Sequence, residues 1–83
     1  MKWIKAVPIA TGNKTKQFSI VPIDGRAHQL GIVSFFPLWR KFIYHPDPGT
    51  IHEEQCLRDI AAFCEEQTKA WRAEVRARRV KLP

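Results

Sequence analysis

The stretch HPDPGT, His45 to Thr50, sets the strongest limit on how this chain folds. Two prolines fix φ and remove two amide donors, and Gly49 adds a turn position beside them, so neither a helix nor a strand continues through it. The two sides of this break differ in pattern. Before it, short runs rich in Val, Ile, Phe and Trp alternate with turn residues, the signature of strands. After it, no proline occurs until Pro83, and apolar residues recur at the three- and four-residue spacing of a helix. The order is therefore sheet first, then helix.

Four strands are expected in the first part. KWIKAVPI (2–9) and KQFSIVPI (16–23) flank the turn-like TGNKT. Each carries a proline, Pro8 or Pro22, which belongs at a sheet edge, a bulge or a strand end because it cannot donate to a ladder. Asp24 and Gly25 signal a turn. LGIVSFF (30–36) is the third strand. Pro37 and Leu38 form a tight connection to the fourth, WRKFIYH (39–45), and so short a link makes these two antiparallel neighbours.

Thr50 to Glu53 matches a capping box, in which the Thr hydroxyl takes an amide of the first turn and the Glu reaches back. The helix is expected over about 51–78, with an alternative start two or three residues later. Its apolar face is Cys56, Leu57, Ile60, Ala61, Phe63 and Cys64, thinning to Trp71 and Val75. A helix of that length spans roughly 40 Å, against a diameter around 30 Å for a compact domain of this size. Its last turns therefore project, break near Gln67 and Thr68, or meet a second subunit. The expected architecture is α+β: one domain over 1–83, with an antiparallel sheet of three to four strands at about 2–45 and one long C-terminal helix packed on one face, ending in a basic tail at 69–83. The expected core is Leu30, Ile32, Phe36, Phe42, Leu57, Ile60, Phe63 and Cys64.

Net charge is +6 and its distribution is uneven. Residues 1–49 carry seven Lys/Arg against Asp24 and Asp47, a balance of +5. Residues 50–68 carry Arg58 against Glu53, Glu54, Asp59, Glu65 and Glu66, a balance of −4. Residues 69–83 carry six Lys/Arg against Glu74, again +5. Such a surface attracts nucleic acid or an acidic protein face, although acids early and bases late in a helix also complement its macrodipole. No apolar run approaches the ~20 residues of a membrane span. The start MKWIKAVPIATG lacks the apolar centre of a signal peptide, so an intracellular protein is expected. Cys56 and Cys64 lie eight apart in the helix, about 12 Å along its axis. They are too far apart to bridge and read as free thiols.

The segment from Leu30 to Phe63 resembles small proteins encoded by bacteriophages and prophages. In those, a hairpin with a W-R-x-aromatic core leads through P-x-P-x-T into C-L-x-D-I-A-x-F. The matching residues are Leu30, Gly31, Trp39, Arg40, Pro46, Pro48, Thr50, Cys56, Leu57, Asp59, Ile60, Ala61 and Phe63. The sequence departs from that pattern at Pro37, where a glycine turn is usual, at Phe35, where Trp is common, and at His45 and His52, where aromatics are common. That family carries no settled activity. The resemblance implies a phage origin and a host bacterial cytoplasm, not a mechanism.

Catalytic patterns are absent from the sequence. Its four glycines are scattered rather than gathered in a phosphate loop. Glu53/Glu54 and Glu65/Glu66 are neighbours that diverge by about 100° on a helix, and no third group orients a Cys–His pair. No enzyme is expected. His52 and Cys56 have a chelating i, i+4 spacing with His45 just upstream, but structural zinc takes four ligands, so neither metal nor cofactor is expected. The candidate binding residues are Trp39, Arg40, Lys41 and Tyr44 in the fourth strand, and Trp71, Arg72, Arg76 and Arg79 late in the helix. One helix covers one sheet face, so the other face keeps large side chains beside a cation. Trp, Tyr and Arg dominate protein interfaces, and aromatic–basic sheet faces also stack single-stranded bases. The expectation is a non-enzymatic phage-type protein that engages a host protein as an anti-defence or host-takeover inhibitor. Nucleic acid is the alternative partner, no membrane is involved, and the open face and the overhanging helix are the candidate surfaces for a homodimer.

Overall fold

A computed structural model describes residues 3–10, 16–23 and 28–80, with Arg79 and Val80 by backbone only. The turns expected at TGNKT and at Asp24 and Gly25 lie outside the described residues. Four strands form one antiparallel sheet: β1 (Ile4–Ile9), β2 (Gln17–Pro22), β3 (Gly31–Phe36) and β4 (Lys41–Pro46), in the order β1-β2-β3-β4. One helix, α1 (Glu54–Val80), follows and packs on one face. The α+β architecture is as the sequence predicts, with four strands in the sheet.

Both strand prolines sit where a missing donor is harmless. The Ile23 amide bonds the Trp3 carbonyl at 3.1 Å, so odd-numbered residues of β1 point their amides at β2 and Pro8 turns its ring nitrogen outward from an edge strand. Pro22 lies beyond the last residue of β2 that pairs with β3, Ile20.

Alternation decides which side chains meet the helix. Ile4, Phe18, Ile20, Val33 and Phe42 are buried beneath Cys56, Ile60 and Phe63 of α1. Phe18 and Phe63 meet edge to face, with centroids 4.9 Å apart, the geometry aromatic quadrupoles favour. Of the expected core, Phe42, Ile60 and Phe63 are buried, while Leu30 and Cys64 are partly buried against it. Ile32 and Phe36 are corrections. The register Phe18↔Val33 and Phe35↔Phe42 puts Val33 and Phe35 under the helix and their neighbours on the opposite face. The run GIVSFF is apolar on both faces, so its parity cannot be read without the partner strands. Leu57 is also a correction. It is 49% exposed, about 100° around the helix from Cys56.

Gly31 has a steric role. A Cβ built there would lie 2.6 Å from Cζ and Oη of Tyr44 and would clash with the His45 carbonyl. The Tyr44 ring therefore fills the space that any other residue at position 31 would need.

The helix begins at Glu54, the later of the two expected starts rather than 51. The Thr50 hydroxyl donates to the carbonyls of Asp47 (2.7 Å) and Leu30 (3.3 Å), tying down the HPDPGT turn instead of capping the helix. Glu53 is the cap: its carboxylate accepts the amides of Gln55 and Cys56, and its carbonyl takes the first helical bond from Leu57. A carboxylate there also faces the positive end of the helix dipole. No break occurs at Gln67 and Thr68. The basic segment from 69 to 80 lies within the C-terminal half of α1.

Thr68 is the buried polar residue of the described core, 7% exposed. Its hydroxyl accepts the Phe42 amide at 2.9 Å and donates to the Cys64 carbonyl at 2.9 Å. That amide points outward from β4, an edge strand, so the helix satisfies a donor that the sheet leaves free.

Candidate binding cleft at the hairpin tip

The β3–β4 connection is a four-residue turn, 37–40. Pro37 occupies the second position of a turn closed by the Trp39 amide on the Phe36 carbonyl (3.3 Å), where its fixed φ is preset. Arg40 follows with φ 52°, and its amide bonds the Pro37 carbonyl at 3.2 Å. Trp39 and Arg40 are therefore turn residues, not strand residues, and the fourth strand begins at Lys41. The left-handed conformation at Arg40 carries a cost of about 1 kcal/mol in a residue with a side chain.

This turn stands beside the C-terminal half of α1. Trp71 lies on Phe35, with ring centroids 4.6 Å apart, and Phe35 in turn contacts Phe42 at 5.5 Å. The aromatic ladder holds the helix against the hairpin one turn beyond Thr68. Trp39 packs against Phe36 at 4.8 Å on the helix-free side and remains 66% exposed, and Leu38 at the apex is 84% exposed.

Between turn and helix lies a cleft of about 360 Å³ lined by Trp39, Arg40, Trp71, Arg72, Val75 and Arg76. An adjoining hollow of about 320 Å³ extends it along Phe35, Pro37, Arg40, Trp71 and Val75. Two indoles and three guanidiniums line the first cleft with no carboxylate among its lining residues. Guanidiniums bind carboxylates and phosphates by paired donors, and indoles offer apolar faces. The arrangement suits an anionic ligand that also carries an apolar group.

Five of the eight residues singled out from sequence converge here: Trp39, Arg40, Trp71, Arg72 and Arg76. Lys41 begins β4, on the opposite face from Phe42, and borders a separate cleft that also includes Glu65, Glu66 and Arg72. Tyr44 stands apart from the cleft. It lies on the helix side, its hydroxyl 2.7 Å from Nε2 of His52 and its ring edge-on to the imidazole. The Arg79 side chain lies outside the described residues. Sequence reasoning missed Val75, Phe35 and Pro37 as residues of the cleft and its adjoining hollow, and Leu38 as the exposed apex of the turn. Val75 follows Trp71 by four and was legible as part of the same stripe, whereas the role of Leu38 depends on the turn being four residues long.

The polar groups beneath the helix are chemically quiet. Burial, with smaller contributions from Cys56, Asp47 and Cys64, pushes the Tyr44 hydroxyl up to about 12. Burial beside Glu65 pushes the Cys64 thiol up to about 11, and burial together with Glu53 and Asp59 raises Cys56. Both cysteines are free and protonated at neutral pH, which disfavours them as nucleophiles. Among the described residues no group of three or more His, Cys, Asp or Glu converges, and no helix is long and apolar enough to cross a membrane.

No family model matches the chain, and no curated protein or solved structure is detectably similar to it.

Proposed function

We propose that this protein is a small non-enzymatic binding protein of the phage type that engages an acidic host protein in the bacterial cytoplasm, as an anti-defence or host-takeover inhibitor. The supporting observation is the cleft in which Trp39, Trp71, Arg40, Arg72 and Arg76 meet with no carboxylate among the lining residues. The phage and host parts of the reading rest on the resemblance over residues 30–63. The protein-binding part rests on the hairpin apex. Leu38 and Trp39 are exposed at this turn, Trp39 lines the cleft beside three guanidiniums, and Trp with Arg is the composition of a protein hot spot.

Nucleic acid is the second reading, favoured by the same guanidiniums and by an indole free to stack on a base. Against it stand Glu65 and Glu66, which border the neighbouring cleft and repel a polyanion tracking along the helix. The two readings separate in parallel assays. In nuclease-treated bacterial lysate, wild-type protein retains a defined partner and the pair Arg72→Glu and Arg76→Glu loses it. In gel shifts, single- and double-stranded DNA bind weakly at physiological salt. Tight binding to DNA that falls steeply with salt, together with no partner retained from lysate, would overturn the protein-binding reading.

A further inference from the structure

We propose that the helix-free face of the sheet is a two-fold interface between two copies of this chain, packed face to face with their strands aligned. This surface adjoins the hairpin cleft where Phe36 meets Trp39, and the inference does not depend on the function proposed above.

The central part of this face mixes apolar and neutral polar side chains and carries no Lys, Arg, Asp or Glu, within a chain of net charge +6, while Lys5, Lys41 and Asp47 lie at its rim. The register gives it two central rows, Val7–Ser19–Ile32–His45 and Ile9–Gln17–Ser34–Ile43. The Ile23–Trp3 backbone bond extends the ladder and adds Trp3 and Ile23, each 53% exposed, beside Val7 at 40%. Val21 and Phe36 complete the patch. Charge depletion at the centre of an apolar patch is the compositional mark of an interface core.

The side chains of Ser19, Ser34 and His45 are already bonded within the face. The Ser19 hydroxyl donates to Oε1 of Gln29 at 2.6 Å, and Nε2 of Gln29 donates to Oδ2 of Asp47 at 2.9 Å. Ser34 Oγ and His45 Nε2 are 3.1 Å apart. Burying hydroxyls that already have partners avoids most of the desolvation penalty.

Size and charge select a second copy as the occupant. Four strands spaced ~4.8 Å apart, each about seven or eight residues long with the ladder extension, give a face of about 19 by 25 Å, or ~500 Å². Two such faces pressed together remove at least ~1,000 Å², the threshold for a specific interface. Lys5, opposite Val21, stands at one edge of the sheet, and Asp47, whose amide bonds the Leu30 carbonyl next to the Gly31↔Pro46 pair, stands near the same level at the other edge. A two-fold axis parallel to the strands lays β1 of one copy across β4 of the other. Lys5 of each copy then meets Asp47 of the other, and Ile9 meets Ile43. The roughly 30° angle of aligned sheet packing leaves these pairs within side-chain reach. The Arg-rich half of α1 lies on the outer surface of such a dimer, so the two basic helices stay apart.

The test is the solution mass of the full chain by light scattering, with far-UV circular dichroism confirming that each variant folds. At about 100 μM the wild type is expected at twice 9.6 kDa. Lys5→Asp and Asp47→Lys are each expected to weaken dimerisation about tenfold alone, because like charges then face each other twice. An equimolar mixture of the two variants restores the dimer, since both pairs are opposite again in the mixed species. Three results would overturn the proposal: a monomeric wild type at that concentration, a dimer unaffected by either substitution, or a mixture no tighter than its components.

Discussion

Thr68 is the residue on which helix and sheet depend most directly. It takes up the outward amide of Phe42 at the sheet edge, and nothing apolar of the same shape can do so. Thr68→Val leaves that amide buried without a partner and is expected to cost about 1–3 kcal/mol. For a chain of this size that lowers Tm by roughly 4–8 °C per kcal/mol. Thr68→Ser keeps the hydroxyl and should lose less, so equal losses in the two variants would show that the hydroxyl is not the cause. Tyr44 contributes to the alkaline loss of stability, beside the raised thiols of Cys64 and Cys56. Its hydroxyl titrates at about 12 in the fold, raised from the ordinary 10.0. Below pH 10 both folded and unfolded chains keep the proton. Between pH 10 and 12 the unfolded chain releases it first, so stability falls as pH rises through that window. Tyr44→Phe should flatten this part of the stability–pH profile relative to wild type, measured by urea midpoints from pH 9 to 12, and an unchanged slope would contradict the assignment. Neither role was legible in the sequence. Thr68 fills a place in the stripe Cys64, Thr68, Trp71, Val75 that an apolar search skips, and Tyr44 faces the helix only because the register of β3 and β4 puts it there.

At the scale of elements, order and type were readable and boundaries were not. Proline and glycine at 45–49 divided sheet from helix, and β-branched runs marked four strands. The helix start moved three residues because Thr50 had a stronger use: it anchors the HPDPGT turn to the Leu30 and Asp47 carbonyls, leaving Glu53 to cap. The hairpin moved for a related reason. A two-residue link at Pro37 and Leu38 would have kept Trp39 and Arg40 in β4, but the turn takes four residues and places Arg40 at φ 52°. Arg40→Gly removes that local cost and is expected to raise stability by about 0.5–1 kcal/mol while deleting one cation from the cleft. A thermal melt checks the first part. A marked fall in Tm would mean that the Arg40 side chain holds the turn by packing. The aromatic and basic residues were legible as a set, but their division was not. Five gather at the cleft and Tyr44 goes under the helix, because a turn side chain obeys no period-two rule.

At the scale of the molecule, the structure extends 50 × 26 × 22 Å, so the long axis is that of a 27-residue helix on a short sheet. The sequence anticipated an overhang. Trp71 and Val75 shorten it by packing on the hairpin, leaving the exposed Arg76 and Arg78 at the end. The resulting polarity places an acidic helix start at one end and a cationic, aromatic cleft at the other, with a charge-poor sheet face behind. The central claim is that the cleft end engages a protein. A photo-crosslinking amino acid at position 38, the apex beside the cleft, tests this in bacterial cells with the full chain. The account predicts a discrete protein adduct that resists nuclease and disappears when Arg72 and Arg76 are reversed to Glu. A nuclease-sensitive adduct, or one indifferent to those reversals, would contradict it.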